Sequence, residues 1–278
     1  MAVSTCSVFP LLPFPFELSG MPDLRAYCGP QTGSSVEIVL NADESHHLVV
    51  VNRARVGDPV VAFDGVGTEW DCDLAGNRRQ AAVLKVRQQR PTRTLAHEMT
   101  LAQALPKGAT MDDIVRHATE LGARTIIPLE SERSQVHLAA DRSEKKLEKW
   151  RTTAIEAAKQ CGNPFVPRIA PLQRTLDFIA SADAYDLKLV ASLHPGAQPL
   201  KAVLREYQSA RSRLPRRVAW LIGPEGDFSA EEIRAAVDAG FAPVTLGPLV
   251  LRCDTAATYA LSTLSHELLP ASEIGPGV

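Results

Sequence analysis

The sequence predicts an α/β protein with two domains: a small β-barrel, followed by an α/β domain built on a mostly parallel sheet. Short runs rich in β-branched residues, separated by turn residues, fill the chain to about Arg90. After Pro91, strand-like runs alternate with amphipathic helical ones. Closing into a barrel removes the exposed edges of many short strands. Alternation of strands and helices is typical of a parallel sheet covered by helices.

The composition is that of an ordinary globular protein. The chain has 278 residues, 45% hydrophobic and 22% charged, with a net charge of -2. This excludes a uniformly basic nucleic-acid coat but leaves room for a local basic patch. The five cysteines are scattered, without a C-x-x-C pair, so they predict a reducing, cytoplasmic location rather than a disulfide framework or zinc site. No apolar run has the length of a membrane span.

Domain boundaries are predicted at residues 21–91 and 92–270. Residues 1–20 are not expected to be a secretory signal, because their apolar stretch contains prolines and no cationic residue precedes it. They are expected to form a disordered extension instead. Met21 is then the ordinary start. Residues 271–278 are expected to form a tail.

Predicted strands of the first domain lie at residues 36–40, 47–51, 59–63 and 81–86. Those of the second lie at 99–105, 125–129, 187–193, 218–222 and 244–246. Predicted helix starts follow capping signals: Thr110 with Asp113, Asp141 with Glu144, Ser229 with Glu232, and Asp254 before the last helix, which runs to about 268.

Two loops that follow predicted strands carry the chemistry. The first is Gly223-Pro224-Glu225-Gly226, whose glycines let backbone groups approach a ligand closely. The second runs from Leu246 to Ala257 and offers a dry, apolar slot that ends in Arg252 at a helix start. Parallel strands place such loops together at their carboxyl edge. A plain strand-to-helix turn and a surface arginine are the structural alternatives.

Other candidate chemistries are weaker, and no metal site is predicted. The first loop is not a G-x-G-x-x-G fingerprint. Cys161 has the spacing of a core residue, and no histidine adjoins it as a nucleophile's partner. His46 and His47 would point to opposite faces of a strand, and His117 lacks a second ligand one helical turn away.

Together the two loops resemble those of the 16S ribosomal RNA uridine-N3 methyltransferase family, in the SPOUT class. The matching residues are Gly223, Pro224, Glu225, Gly226, Ser229, Glu232, Leu246, Gly247, Leu251, Arg252, Thr255 and Ala256. Upstream matches lie at 24–27, 103–108, 118–122, 131–134 and 156–161, so the resemblance covers residues 21–268. It implies a PUA-like N-terminal RNA-binding domain and a C-terminal trefoil-knot domain.

Four positions depart from the family pattern. Asp227 replaces a glycine, Asp254 replaces a glutamate, and Leu249 and Asn163 stand where arginine is common. Because the side chain of Asp254 is one methylene shorter than that of glutamate, it is expected to cap the helix rather than to reach into the site. The loss of two positive charges near the site is expected to alter RNA contact or affinity.

The resemblance also implies the ligand and the residue roles. S-adenosylmethionine is the expected cofactor, bound by Leu193, Ile222, Gly223, Pro224, Glu225, Gly226, Leu246, Gly247, Pro248, Leu251, Thr255 and Ala256. The candidate catalytic residues are Arg252, for charge stabilisation, and Glu225 or Asp254, for proton removal. The RNA-contacting candidates are Arg25, Arg53, Arg55, Lys107 and Arg133.

The expected partners are 16S rRNA within the small ribosomal subunit and a second copy of the chain, bound through the knot domain. Three alternatives stay open at this point. One is a methyltransferase of the same class acting on another RNA, such as tRNA. The second is a non-catalytic RNA-binding or ribosome-assembly factor, and the third is a small-molecule methyltransferase, against which the β domain argues.

Overall fold

The computed structural model describes residues 24–30, 36–134, 140–194 and 196–269. The predictions for residues 1–20, Met21 and residues 271–278 lie outside the described residues.

The N-terminal domain is a curled five-stranded sheet, a half-barrel with the order β1-β3-β4-β5-β2. Its strands are β1 Arg25–Tyr27, β2 Glu37–Val39, β3 Pro59–Phe63, β4 Glu69–Gly76 and β5 Val83–Gln89. β1 runs parallel to β3, whereas the other neighbours are antiparallel. The inner face packs around apolar residues that include Ile38, Leu48, Ala62, Cys72 and Leu84.

Two elements of this domain differ from the sequence prediction. The predicted strand at 47–51 is wrong: helix α1, Ala42–His46, continues into a π-helix, His47–Val51. Asn41 caps this helix, its Oδ1 accepting the Glu44 N–H at 2.8 Å, and local capping together with burial of Leu48 outweighs the β propensity of the valines. Strand β4 was missed, although its alternation of acidic residues with buried Trp70, Cys72 and Leu74 was the available signal.

The C-terminal domain has one sheet in which every described pairing is parallel. Its strands are β6 Glu98–Ala104, β7 Ala123–Glu130, β8 Arg168–Ile169, β9 Gln173–Arg174, β10 Leu187–Ala191, β11 Gln198–Pro199, β12 Arg217–Ile222 and β13 Ala242–Thr245. The order is β11-β13-β10-β12-β6-β7-β8, with β9 also paired to β7. The predicted parallel sheet is confirmed.

Helices cover both faces of this sheet: α2 Thr110–Glu120, α3 Ala140–Cys161, α4 Thr175–Ala180, α5 Leu200–Arg211, α6 Ala230–Asp238 and α7 Cys253–Leu268, with a short 3₁₀ turn at Ala182–Ala184. Strand residues alternate between two cores. On β12, Trp220 and Ile222 pack with α2, α3, α5 and α7, whereas Ala219 and Leu221 pack with α4 and α6. No helix in the described ranges has the length and apolarity to cross a bilayer.

The capping predictions fared unevenly. Ser229 caps α6 in a full capping box: its Oγ accepts the Glu232 N–H at 3.2 Å, and its own N–H donates to Glu232 at 2.9 Å. Thr110 and Asp254 are not caps, because the last non-helical residues are Ala109 and Arg252. Asp254 instead lies in the first turn of α7, where its negative charge interacts favourably with the positive end of the helix dipole.

The position of β13 gives the sheet an unusual connection. β13 lies between β10 and β11, although a loop of only a few residues links those two strands directly. The start of that loop, Ser192 and Leu193, and the chain that leaves β13, at Leu246 and residues 249–253, lie at the same carboxyl edge of the sheet.

The two domains meet at a buried, polar junction. Lys159 of α3 donates to both carboxylate oxygens of Glu44, at 3.0 and 3.3 Å, and both residues are 7% exposed. Glu44 also accepts the Tyr27 N–H at 3.1 Å. Beside this pair, Gly67 donates its N–H to Pro164, and a side chain at Gly67 would collide with the Phe165 ring at 2.6 Å. The domains are thus joined through side-chain and backbone contacts.

The Lys159–Glu44 pair yields a stability prediction. The change Lys159→Met leaves the Glu44 carboxylate buried without its partner, so the free energy of unfolding should fall by about 3–5 kcal/mol in urea denaturation. Arg116→Met is the matched control, because Arg116 and Asp113 form an exposed pair worth no more than about 1 kcal/mol. Equal losses in the two variants would contradict a structural role for the buried pair.

Candidate functional site

A cavity of about 320 Å³ opens at the carboxyl edge of the parallel sheet, where β10, β12 and β13 end. Three chain segments supply its walls: Ala191, Ser192 and Leu193; Ile222, Gly223, Pro224, Glu225 and Asp227; and Leu246, Leu249, Val250, Leu251, Arg252, Cys253 and Ala256. Both loops singled out in the sequence therefore meet at one cavity.

The structure brings most of the predicted cofactor residues together. Those that line the cavity are Leu193, Ile222, Gly223, Pro224, Glu225, Leu246, Leu251 and Ala256. Gly226, Gly247, Pro248 and Thr255 belong to the same loops but are not in its lining. Leu249, Val250 and Cys253, which also line the cavity, belong to the predicted apolar loop. Ala191 and Ser192 were missed, and only their position at a strand end could have indicated them.

The first loop is a tight turn with little room for side chains. A Cβ at Gly223 would lie 3.2 Å from Asp227 Oδ1 and 3.4 Å from the Phe228 ring. Asp227 itself has a φ of 58°, a left-handed conformation that glycine adopts at least cost. Its Oδ1 accepts the Phe228 N–H at 2.8 Å, so the carboxylate stabilises this turn locally, at a position where the sequence pattern led us to expect glycine.

Two neighbouring segments hold this loop from outside the cavity. The buried Gln103 donates from Nε2 to the Gly223 carbonyl at 3.4 Å. The Lys107 N–H donates to Glu225 Oε1 at 2.9 Å, and Arg133 Nη1 donates to the Gly226 carbonyl at 3.3 Å. Lys107 and Arg133 are both exposed and bonded to the first loop, and their role on the path to the site stays a prediction.

Glu232 joins two of the sequence motifs. Besides completing the α6 capping box, its carboxylate accepts the Ser131 hydroxyl at 3.0 Å and the Glu132 N–H at 3.1 Å. The side chain is 4% exposed, so these bonds form in a region of low dielectric, where they are strong. The segment 131–134 is consequently fixed against the start of α6, and Arg133 with it.

The second loop ends at Arg252, which is exposed at the cavity wall. Its carbonyl accepts the Ala256 N–H at 2.7 Å, whereas its guanidinium makes no hydrogen bond or ion pair within the described part of the chain. The next residue, Cys253, is buried, and this burial raises the pKa of its thiol to about 11, with a further contribution from the negative charge of Glu225. Glu225 thus lies close to the start of α7. Asp254 does not line the cavity, and its Oδ1 is buried without a hydrogen-bond partner among the described residues.

The middle of the second loop is apolar and exposed. Gly247 has a φ of 112°, and the Thr245 hydroxyl bonds to both its N–H and its carbonyl. This turn projects Leu249 and Val250 into solvent at 71% and 84% exposure. Leu249 and Val250 are thus two adjacent, exposed apolar side chains at the cavity wall.

Two sequence expectations need correction. Arg25 is unsuited to contact RNA, because its side chain is buried, bonded to Glu69 at 2.8 Å and stacked over Phe63. Asn163 is not near the cavity: it donates to the Thr119 carbonyl and accepts the Phe165 N–H at the domain junction. The loss of an arginine at position 163 therefore does not remove a charge from the site. Arg53 and Arg55 are exposed.

The histidines and cysteines are dispersed. Across residues 24–30, 36–134, 140–194 and 196–269, no group of three or more His, Cys, Asp or Glu side chains could hold a metal ion. His47 lies 3.5 Å from Glu156 at the junction, and His117 contacts the Thr258 hydroxyl at 3.3 Å.

Comparison with known proteins gives consistent matches. Residues 93–265 match the family described as RNA methyltransferase domain, and residues 40–86 match that described as RNA methyltransferase PUA domain. The ribosomal RNA small subunit methyltransferase E of Bacillus subtilis is 30% identical, over 82% of this chain and 89% of its own. The enzyme of the same name from Synechocystis is 33% identical, over 87% and 77%.

Two solved structures share the whole fold. A methyltransferase from Legionella pneumophila, solved with bound S-adenosylmethionine (SAM), has a TM-score of 0.77 and 31% identity, covering 88% of this chain and 97% of its own. The ribosomal RNA small subunit methyltransferase E of Neisseria gonorrhoeae, also bound to S-adenosylmethionine, has a TM-score of 0.76 and 25% identity with the same coverage.

In this chain a PUA domain precedes a parallel sheet in which β13 lies between two strands that a short loop links directly. Together with the family match, these features define an RNA methyltransferase. The cavity at the carboxyl edge is where such a fold binds a ligand. Within that class, the chain belongs to the ribosomal RNA small subunit methyltransferase E family.

Proposed function

We propose that this protein transfers the methyl group of S-adenosylmethionine to N3 of a uridine in 16S ribosomal RNA, within the assembled small subunit, in the cytoplasm. The observation that supports this most directly is the cavity formed by residues 222–227 and 246–253, in a fold whose solved relatives bind S-adenosylmethionine. The names of the curated relatives favour a small-subunit substrate over tRNA or a non-catalytic role.

The cavity residues suit this ligand. Ile222, Leu246 and Leu251 offer apolar walls to a planar base, and the glycine-rich turn at Gly223 lets backbone groups approach it. A volume of about 320 Å³ is at the lower end of the range for small-molecule sites. When bound, S-adenosylmethionine supplies a methyl group on a positively charged sulfur, which is already a good leaving group.

The chain must then remove a proton, because uracil N3 carries one at neutral pH and is a poor nucleophile until it leaves. Glu225 is the better acceptor: it lines the cavity, and among the described residues only its Oε1 accepts a hydrogen bond, from the Lys107 N–H. Asp254 is disfavoured because its Oδ1 is buried and the residue is outside the lining. The proton therefore passes from N3 to Glu225, directly or through one water.

Arg252 is assigned to the charge that develops on the base. Its permanently charged guanidinium is exposed at the cavity wall and can stabilise a uracil anion. N3 lies on the Watson–Crick edge, so the target uridine must be unpaired or flipped into the site. Lys107 and Arg133 are the proposed contacts to the RNA backbone around it, supported by their exposure and by their bonds to the first loop.

The identity of the product tests this function. Nucleoside mass spectrometry of small-subunit rRNA from cells lacking the gene should show loss of 3-methyluridine, and the wild-type gene should restore it. Retention of that nucleoside would refute the assignment. Loss of another methylated nucleoside, or one from tRNA, would replace it with a methyltransferase of different target.

Arg252→Ala should lower turnover at saturating RNA by about a hundredfold, the scale of a single transition-state charge contact, while the affinity for S-adenosylmethionine measured by calorimetry stays unchanged. Arg252→Lys should recover only part of the rate, and Arg116→Ala is the control for a surface arginine. Equal losses of affinity and turnover would instead make Arg252 a cofactor-binding or structural residue.

The same assay separates the two carboxylates. Glu225→Gln should reduce turnover strongly and Asp254→Asn only weakly, because only Glu225 lines the cavity. The reverse order would transfer the role of proton acceptor to Asp254.

We also propose that two copies associate through the knot domain. The support is the exposed apolar pair Leu249 and Val250, adjoined at the cavity by Leu193, which is 55% exposed. Replacing both Leu249 and Val250 by Glu should shift sedimentation equilibrium from dimer to monomer. Val237→Glu, at an exposed apolar residue of α6, is the control. A double variant that remains dimeric would place the interface elsewhere.

A further inference from the structure

Asp227 places a carboxylate in the cavity wall, at a position where the sequence pattern led us to expect glycine. It lines the cavity and is half-buried. Its φ of 58° is a conformation that glycine, asparagine and aspartate adopt more easily than other residues. The turn is therefore compatible with glycine or asparagine, and what aspartate alone adds is a negative charge.

That charge has no counterion in the described part of the chain. Asp227 Oδ1 accepts the Phe228 N–H at 2.8 Å, and the same oxygen would lie 3.2 Å from a Cβ at Gly223. Among the described residues, no Lys, Arg or His side chain forms an ion pair with Asp227. An unpaired carboxylate beside the ligand-binding turn is available to attract a positively charged ligand.

The wall of the cavity as a whole is negatively charged. Its charged residues are Glu225, Asp227 and Arg252, which together carry a net charge of -1. Cys253 adds no charge at neutral pH, because burial raises the pKa of its thiol to about 11. The sequence pattern led us to expect glycine at position 227 and arginine at position 249, where Asp227 and Leu249 stand. Each of these departures makes the same wall more negative.

A charge in this wall acts on the whole cavity. A cavity of about 320 Å³ is roughly 8 Å across, similar to the Debye length of about 8 Å at physiological ionic strength. Much of the remaining wall is apolar, including Ile222, Leu246 and Leu251. Apolar walls lower the local dielectric constant and strengthen the field of a charge. Salt therefore screens Asp227 only in part from a ligand inside the cavity.

The methyl donor and its product differ in charge. When the methyl carbon bonds to N3 of the uracil anion, the electron pair of the carbon–sulfur bond stays on sulfur, so the positive sulfonium becomes a neutral thioether. The product, S-adenosylhomocysteine, therefore carries one positive charge less than S-adenosylmethionine, whereas the ammonium and carboxylate groups of the two are the same. A negative wall consequently stabilises the bound donor more than the bound product.

We propose that Asp227 gives the cavity a preference for S-adenosylmethionine over S-adenosylhomocysteine, through its attraction to the positive charge on sulfur. This rests on the proposed function, because it takes the cavity as the site of the methyl donor. The consequence is that accumulated product competes less well with the donor. Asp227 has no part in the chemical step, since its charge acts most strongly before transfer, while the sulfur is fully positive.

Calorimetry with three ligands tests this preference: S-adenosylmethionine, S-adenosylhomocysteine and sinefungin, an analogue with a protonated amine in place of the methylated sulfur. Asp227→Asn keeps a side-chain oxygen for the Phe228 N–H and tolerates the left-handed backbone, but removes the charge. Asp227→Gly removes the whole side chain. Glu231→Gln is the matched control, because Glu231 is an exposed carboxylate of α6 that does not line the cavity. The melting temperature of each variant checks that it folds.

Asp227→Asn should raise the dissociation constants of S-adenosylmethionine and sinefungin about three- to fivefold, the scale of one partly exposed charge pair, and leave that of S-adenosylhomocysteine unchanged. Raising KCl from about 50 to about 300 mM should reduce this difference, because salt screens the attraction. Asp227→Gly should lose the same preference, and Glu231→Gln should match the wild type. Single-turnover methyl transfer at saturating S-adenosylmethionine should keep its wild-type rate in Asp227→Asn.

A donor-to-product ratio of dissociation constants that is the same in Asp227→Asn and the wild type would overturn the proposal. Equal weakening of all three ligands would overturn it too, because Asp227 would then only shape the turn. If S-adenosylmethionine alone were weakened and sinefungin were not, the cavity would recognise the methyl group rather than the charge. A slower single turnover with unchanged binding would make Asp227 a proton acceptor instead.

Failure of the proposed function gives different results. A wild-type protein that binds S-adenosylmethionine with the Asp227-dependent preference but leaves 16S rRNA unmethylated would refute the RNA target and uphold the preference. A wild-type protein that does not bind S-adenosylmethionine at all would refute both.

Discussion

The insertion of β13 between β10 and β11 is the constraint on which the site depends. Because all described strands of that sheet run parallel, the loops after β10, β12 and β13 emerge at one edge. The inserted strand brings the apolar loop 246–253 against the turn at Gly223, although more than twenty residues separate them. The cavity has walls from both loops, so it exists only because the strand order brings these two loops together.

Polar contacts then hold the loops at this edge of the sheet in a defined shape. Glu232 ties the segment 131–134 to the start of α6, while Gln103 and the Lys107 N–H hold the Gly223–Gly226 turn. Each hydrogen bond fixes a loop before a ligand arrives, so less conformational entropy of the loop is lost when the ligand binds. The same segments carry the exposed cations Lys107 and Arg133.

The cations of the protein fall into two kinds, those that stabilise the fold and those that are available to bind a ligand. Buried or paired cations, such as Lys159 with Glu44 and Arg25 with Glu69, stabilise the domains and their junction. Arg252, whose guanidinium has no carboxylate partner among the described residues, stands at the cavity wall. Sequence alone does not distinguish the two kinds, since Arg25 and Arg53 look alike until the fold brings Glu69 to one and leaves the other exposed.

Local chemistry was enough to predict the parallel sheet, the Ser229 capping box and the two loops, because periodicity, caps and glycine-rich turns act over a few residues. Local chemistry failed where tertiary packing decides: 47–51 is helical, Arg252 rather than Asp254 precedes α7, and Asn163 lies at the junction. The sequence by itself determined which residues are suited to a ligand. Only the tertiary structure decided which of them meet, because strand order and burial depend on contacts between residues far apart in the chain.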